Sequence, residues 1–363
     1  MGFKKSAIVW IRSYLYARSQ CVYVDGKLSG FKAVNVGVPQ GSVLGALLYI
    51  LFVNDLPEVV HGHHGPGNQG AGQLQEVLYN ISCKSCGSLC CYVDDSTFMY
   101  SSSDPDQLSD MLTKQYRNLA KYMGDNRLVI NNDKTHLLVM GSKRQAQARK
   151  HVRVDTGTVT ITPVETEKLL GINIHQSLKW HEHVLNNKKS LLSMLNTRLS
   201  ALKRISVNAS FLTRLMVGNA CFMSVIVYMV AVWGGTEKYV IKAVQVMQNR
   251  AARCITKLGW LTPTRVLLEQ CNWLSIKQLI FYHTALQVWK VRSSKVPAYM
   301  YSKLKPVNNR RLTRSVAQGS LLVPSVEKSV SKCSFMVRSA SILGTKSHLV
   351  LEMSRTLPYS KET

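Results

Sequence analysis

Two consecutive carboxylates, Asp94 and Asp95, close the segment Tyr92-Val93-Asp94-Asp95, with apolar residues 89–92 leading in and residues 96–100 leading out. A tight turn between two short strands would lift both side chains clear of a fixed backbone. Two-metal phosphoryl transfer needs that presentation: carboxylates hold a pair of divalent cations about 4 Å apart, one activating the attacking oxygen and one steadying the leaving group. Alone, an Asp-Asp pair is more often a solvated turn. A second signal lies 53 residues upstream, counted from Gly41 to Asp94, in Gly37-Val38-Pro39-Gln40-Gly41-Ser42. A third is compositional. Cys83, Cys86, Cys90 and Cys91, with His61, His63 and His64, are ligand types suited to zinc. The single Cys-x2-Cys has no clean second pair, so free thiols are the preferred reading, and Cys83, Cys86 and Cys90 are the set a zinc ion would use. His181-Glu182-His183 lacks the His-Glu-x-x-His spacing of zinc proteases, and neither Gly-x-Ser-x-Gly nor a phosphate loop occurs.

The elements that must position these residues follow from periodicity. Residues 7–16 read as a helix, and residues 20–24 and 31–36 as strands joined through Asp25-Gly26. Ser42 is an N-cap for an apolar helix over residues 43–53, which ends at Asn54-Asp55-Leu56-Pro57. Residues 61–75, rich in Gly, His, Gln and Asn, read as an insertion. A strand–turn–strand over residues 89–100 and a helix over residues 108–123 come next. Residues 128–130 and 136–140 flank Asn131-Asn132-Asp133 as a second hairpin-like unit. Residues 143–153 read as a charged loop, 159–162 and 168–174 as single short strands, and 185–303 as predominantly helical. Past Pro306 the chain is basic and Ser-rich with little periodicity.

At 363 residues with 46% apolar and 18% charged residues, the chain is globular and long enough for two or three packed units. Its formal net charge is +26, unevenly spread. Residues 1–140 hold 12 Lys/Arg against 11 Asp/Glu, a net of +1; the remainder holds 34 against 9, a net of +25. That asymmetry predicts chemistry in front and a grip on a polyanion behind, with a merely soluble basic surface as the plainer alternative. Nine cysteines without a secretory signal point to a reducing, intracellular compartment, nuclear or cytoplasmic. The nearly uncharged stretch 215–235 is barely long enough for a membrane span, contains Asn219 and Ser224, and reads better as a buried core helix; no membrane partner is expected.

Taken in order, these segments resemble a family. A Val-Pro-Gln-Gly-Ser box running into an apolar helix and Asn-Asp-Leu-Pro, then a Tyr-x-Asp-Asp hairpin, is similar to motifs B and C of the reverse-transcriptase palm, in the version of jockey- and CR1-like non-LTR retrotransposons. Asn126-Arg127-Leu128 through Asn131-Asn132-Asp133-Lys134-Thr135 resembles the motif D region, and Leu169-Leu170-Gly171-Ile172 with Leu178-Lys179-Trp180 and His183 resembles the primer grip. Trp10-Ile11-Arg12-Ser13-Tyr14-Leu15 is similar to the segment between motifs A and B. Trp233-Gly234, residues 248–253 and Trp273-Leu274 are similar to the thumb and following helices.

The resemblance implies an α+β fold. A partial palm over residues 1–184, with an insertion at 58–88, would precede a helical thumb and connection region over 185–305 and a loosely packed basic tail over 306–363. It implies RNA-directed DNA synthesis with Mg²⁺, or Mn²⁺ as a substitute, on an RNA template, a DNA primer and deoxynucleoside triphosphates; it implies no oligomeric state. Asp94 and Asp95 would be the metal ligands. Tyr92 and Val93 would lie by the primer end, and Gln40 and Gly41 would shape the nucleotide and template pocket. Lys134, otherwise a surface lysine beside a turn, would neutralise or protonate the departing pyrophosphate. Leu170 and Gly171 would form the primer grip, and Lys188, Lys189, Arg198, Lys203 and Arg204 would hold the nucleic-acid backbone. The family completes its metal site with a motif A aspartate ahead of Trp10, where this sequence supplies none; Asp25 is a poor substitute because it belongs to a turn signal. The expectation is therefore a polymerase fragment that is inactive alone, with a non-catalytic nucleic-acid-binding remnant as the alternative.

Overall fold

The computed structural model describes residues 4–39, 41–56, 81–83, 87–92, 94–141, 145–186, 188–294 and 297–304; the expected insertion and basic tail lie almost wholly outside them. The chain divides into two compact units, Met1–Ile130 and Asn131–Thr363. Helices and small antiparallel sheets occupy separate stretches of the chain, so the fold is α+β.

The first unit opens with helix α1 (Lys5–Leu15). A nested hairpin follows: β1 (Arg18–Gln20) pairs with β4 (Lys32–Val34), and inside them β2 (Tyr23–Val24) pairs with β3 (Lys27–Leu28) around Asp25-Gly26. The expected turn is present, while the strand expected over 20–24 is interrupted between β1 and β2, the one expected over 31–36 is shortened to β4, and β3 is an added strand. Helix α2 (Val43–Phe52) starts at Ser42, whose side chain accepts a hydrogen bond from the Gly45 backbone N–H at 3.0 Å. Strands β5 (Ile81–Cys83), β6 (Gly87–Tyr92) and β7 (Asp95–Met99) form a three-stranded sheet in that order. Helix α3 (Pro105–Asp125) begins with Asp104 as N-cap and Pro105 in its first turn. Its Leu119 and Tyr122 join Val53, Leu56 and Leu89 in one core, with Tyr49, Cys91 and Phe98 packed against it.

The second unit corrects several expectations. Residues 128–130 and 136–140 do not pair. Instead the Asn131 side chain accepts from the Asp133 N–H at 3.1 Å and closes a 3-10 turn over Asn132–Lys134. The Leu137 carbonyl is taken by the Val164 N–H at 2.8 Å. Within residues 143–153 the described part contains helix α4 (Ala146–His151), built from good helix formers, rather than a charged loop. Strands β8 (Val154–Asp155) and β9 (Thr160–Ile161) form a hairpin. The single strand expected over residues 168–174 is also a hairpin, β10 (Thr166–Leu169) and β11 (Ile172–His175), turning at Leu170-Gly171 with φ of +46° and +82°.

Helices then dominate, as expected: α5 (Leu191–Ser206), α6 (Phe211–Val217), α7 (Ser224–Val227), α8 (Val230–Trp233), α9 (Lys238–Thr256), α10 (Thr264–Gln270), α11 (Ile276–Ser294) and α12 (Ala298–Lys303). Helix α5 buries Leu191, Leu195, Leu199 and Leu202, one stripe at helical spacing. It packs on Val244, Ala251 and Ile255 of α9 within a single large core. The uncharged stretch 215–235 is partly buried, with Met216, Tyr228 and Val232 exposed, and it forms a broken path rather than one helix. Helix α6 runs into a π turn (Gly218–Met223), then α7, then a break at Met229, whose φ is +49°, before α8. Trp233 Nε1 donates to the Tyr228 carbonyl at 3.0 Å, satisfying an acceptor next to the break. Phe222, Ile226, Val230 and Trp233 are almost wholly buried. Among the described residues no helix is long and apolar enough to cross a membrane.

Candidate active site and nucleic-acid interface

Strand pairing sets the position of the two carboxylates. In the β6–β7 ladder Leu89 faces Phe98, Cys91 faces Ser96 and Tyr92 faces Asp95. Side chains alternate across a strand, so Leu89, Phe98 and Cys91 enter the core while Tyr92 and Asp95 share the opposite face. Tyr92, Asp94 and Asp95 are exposed, with Asp94 in the turn itself; Val93 lies outside the described residues. Burial, offset in part by a contact with the Ser96 hydroxyl at 3.6 Å, pushes the Cys91 thiol up, so Cys91 is a packing group and not a ready thiolate.

Helix α2 runs beneath this hairpin. Tyr49, in the middle of its apolar run, has its hydroxyl pKa raised first by burial, then by the Asp94 carboxylate, then by Cys91. Sequence reading passed over Tyr49; the one signal was a polar tip in an otherwise apolar helix. At the far end of α2 the Tyr122 hydroxyl donates to Asp55 Oδ1 at 2.5 Å, linking the Asn54-Asp55-Leu56 segment to α3. Burial and that bond hold the Tyr122 hydroxyl far above the usual phenol range. Upstream of α2, Gly41 has φ of +78° and nothing within 4 Å of an added Cβ, so its requirement for glycine within this chain is conformational. Gln40 lies outside the described residues.

Lys134 and the Leu170-Gly171 turn belong to the second unit, Asp94 and Asp95 to the first. Lys134 is exposed at the end of its 3-10 turn. The Leu170 carbonyl accepts from the Tyr228 hydroxyl at 2.6 Å, and a Cβ on Gly171 would stand 3.3 Å from Tyr228 Cε1. The same tyrosine therefore fixes the hairpin tip to the broken helical segment. Lys188 and Lys189 are exposed just before α5, and Lys203 and Arg204 are exposed in its last turn, where they also complement the helix dipole. Arg198 donates to the Cys221 carbonyl at 2.6 Å, so part of its role is to hold α5 to the π turn.

As oxygen donors, Asp94 and Asp95 suit Mg²⁺, which takes one or two carboxylates and completes its shell with water and substrate phosphates. Among the described residues no three His, Cys, Asp or Glu side chains cluster as a metal site. Of the zinc set, Cys90 is a half-buried free thiol; Cys86 and the side chain of Cys83 lie outside the described residues. His183 is buried, its Nδ1 accepts from the Asn173 N–H at 3.4 Å, and burial lowers its pKa to about 4. It is a neutral packing group.

Comparison with known proteins bears on the same segments. The "Probable RNA-directed DNA polymerase from transposon BS" of Drosophila melanogaster is 26% identical over 278 residues, 76% of this chain and 28% of that protein. The corresponding protein of the X-element, also from Drosophila melanogaster, is 23% identical over 278 residues, again 76% and 28%. That of the mobile element jockey in the same species is 23% identical over 255 residues, 70% of this chain and 25% of that protein. The chain thus spans little more than a quarter of the length of these relatives. A family model described as reverse transcriptase (RNA-dependent DNA polymerase) matches residues 1–196, more than half of the chain and the whole stretch from α1 to the start of α5. By that match and those relatives, the chain belongs to the reverse transcriptases, in their jockey-like non-LTR retrotransposon branch.

Proposed function

We propose that these residues form the later part of a palm, over 1–184, and a helical thumb, over 185–305, of an enzyme that copies an RNA template from a DNA primer by two-metal nucleotidyl transfer. The observation that carries the reading is the β6–β7 register, which leaves Asp94 and Asp95 exposed beside Tyr92 while Leu89 and Phe98 anchor the strands in the core. Mg²⁺, or Mn²⁺ in its stead, would supply Lewis-acid activation of the attacking oxygen and charge neutralisation at the leaving group. Asp94 is the principal ligand and Asp95 a second, weaker one. Tyr49 supports the hairpin from below. Tyr92 and Val93 lie against the primer end, and Gln40 and Gly41 bound the pocket of the incoming nucleotide. Lys134 delivers charge or a proton to the pyrophosphate, and Leu170 and Gly171 guide the primer strand. Lys188, Lys189, Arg198, Lys203 and Arg204 hold the duplex through its phosphates, without reading sequence.

The 363-residue polypeptide by itself is proposed not to extend a primer. Asp25, the one acidic residue ahead of Gly37 in these 363 residues, sits with φ of +50° in the two-residue turn between β2 and β3 and is engaged in hairpin geometry rather than offered on a strand. The second reading, a nucleic-acid binder without turnover, is favoured by the net charge of +25 over residues 141–363. One experiment tests the absence of turnover and the nucleic-acid hold together. Purified chain and Asp94→Ala are assayed for primer extension on a primed RNA template with Mg²⁺ and then Mn²⁺. The expected outcome is no extension by either protein, with RNA bound at low salt and released at high salt. Extension that disappears in Asp94→Ala would overturn the inactivity proposal while confirming the role of Asp94.

A further inference from the structure

Between α9 and α10 the chain makes a short loop, Leu258-Gly259-Trp260-Leu261-Thr262-Pro263, that exposes two large apolar side chains: Trp260 is 72% exposed and Leu261 93%. The loop is held firmly from below. Lys257 ends α9 in the left-handed region with φ of +58°, its N–H bonded to the Arg253 carbonyl at 2.9 Å. The Arg253 guanidinium donates to the Trp260 carbonyl at 3.1 Å and the Thr262 carbonyl at 3.5 Å, and its Cζ stands 4.8 Å from the centre of the Trp260 ring. Asn249 Nδ2 donates to Thr264 Oγ1 at 2.9 Å, fixing the start of α10. Main-chain carbonyls supply most of this hold and the stacked indole adds to it, while the Leu261 side chain takes no part. The loop is a rigid mount for an aromatic plane that its own fold leaves in water.

The surroundings say what would cover that plane. From residue 238 to residue 294 the chain carries nine Lys/Arg and one acidic residue, Glu269, and Glu269 is already engaged by Arg265 at 2.7 Å. Lys257 is exposed at the root of the loop. An aromatic face backed by the Arg253 guanidinium, with this lysine at the root of the same loop, matches a nucleobase with its phosphate. We propose that the Trp260–Leu261 tip is a base-stacking contact for single-stranded nucleic acid: Trp260 takes an unpaired base, Leu261 packs on the sugar or next base, and Lys257 meets a phosphate. The proposal rests on the nucleic-acid reading above and adds a stacking site to its phosphate contacts.

The test uses the full chain and fluorescence anisotropy with two probes, a labelled single-stranded RNA of about 20 nucleotides, long enough to span a typical single-strand site, and a blunt RNA–DNA duplex, at several salt concentrations. Stacking predicts that Trp260→Ala and Leu261→Ser weaken single-strand binding, the former by about tenfold, while Trp260→Phe keeps most of it. Duplex affinity and the dependence of affinity on salt stay as in the parent, because every phosphate contact is retained. The thermal melt of Leu261→Ser should match the parent, and that of Trp260→Ala should fall only slightly, by the loss of its exposed contact with Arg253. Equal losses on both probes, or none on either, would overturn the proposal. So would loss of self-association in light scattering with oligonucleotide affinity unchanged, since the tip would then be a protein contact. If the parent chain binds neither probe at low salt, the nucleic-acid reading itself fails and the stacking site with it.

Discussion

His183 and Asp94 show how differently two titratable groups can be used. His183 is surrounded by core residues and kept neutral, with a pKa of about 4 caused by burial. In the unfolded chain an imidazole titrates near about 6.5. As pH falls through that value the unfolded state takes up a proton that the folded state does not, so stability is lost between about pH 6.5 and pH 4 and is unaffected by this group above. Up to about 3 kcal/mol is at stake if the histidine stays fully enclosed. Urea titrations on either side of that window, at about pH 7.5 and about pH 5, should show the drop. His183→Gln, which retains an acceptor for the Asn173 N–H, should flatten it. An unchanged pH dependence in that variant would place the acid sensitivity elsewhere. Asp94 has the opposite setting, exposed in a turn, and its replacement should leave the urea midpoint nearly unchanged. Its role is tested through primer extension and not through stability.

Elements were legible where one local rule decides them. Ser42 as cap with the apolar run behind it marks α2, apolar residues at 3–4 spacing mark α3 although it begins at Pro105 rather than 108, and the Asp-Asp turn behind an apolar run marks β6 and β7. Reading failed where a residue adopts a backbone state its type does not announce. Leu170 at φ +46° turns an apparent single strand into the β10–β11 hairpin, and Met229 at φ +49° breaks an apparent core helix. Both are offset by hydrogen bonds from residues far along or nearby in sequence: Tyr228 to Leu170 and Trp233 to Tyr228. The candidate site was legible as the carboxylate hairpin, but Tyr49 beneath it was not, because a tyrosine in an apolar run looks like packing alone. The hairpin gives a direct prediction. Gly171→Ala adds a side chain at φ +82°, within 3.3 Å of Tyr228, and should destabilise the second unit by roughly 1–2 kcal/mol. Tyr228→Phe should cost about 1 kcal/mol through removal of the bond to Leu170. Because both variants disturb the same contact, their combined effect should be less than the sum, and a fully additive melt series would show that the contact does not couple them.

On the scale of the whole chain, the uneven charge gives the measurable quantity. For every phosphate that a duplex complex ceases to neutralise, the slope of log affinity against log salt falls by about 0.9. Reversing Lys188, Lys189, Lys203 and Arg204 together to Glu should reduce the slope by several such steps and weaken binding to every sequence alike. A change in sequence preference with an unchanged slope would mean that these residues do not meet phosphates. Arg198 is left out of that set because its bond to Cys221 would mix folding with binding. Buried Arg214 stands apart from all of these. Its exposure is 7%, and it donates to the Ile255 carbonyl at 2.7 Å and the Ala209 carbonyl at 2.8 Å, closing the end of α9 against the start of α6. A guanidinium reaches both carbonyls with one rigid planar fork, which an ammonium does not reproduce. Exposed cations that bond no carbonyl, such as Lys203 and Arg204, can exchange with one another and alter the surface charge alone. Arg214 has no such freedom. Wherever only folding of the helical unit is under selection, those surface cations are expected to drift while codon 214 keeps specifying arginine.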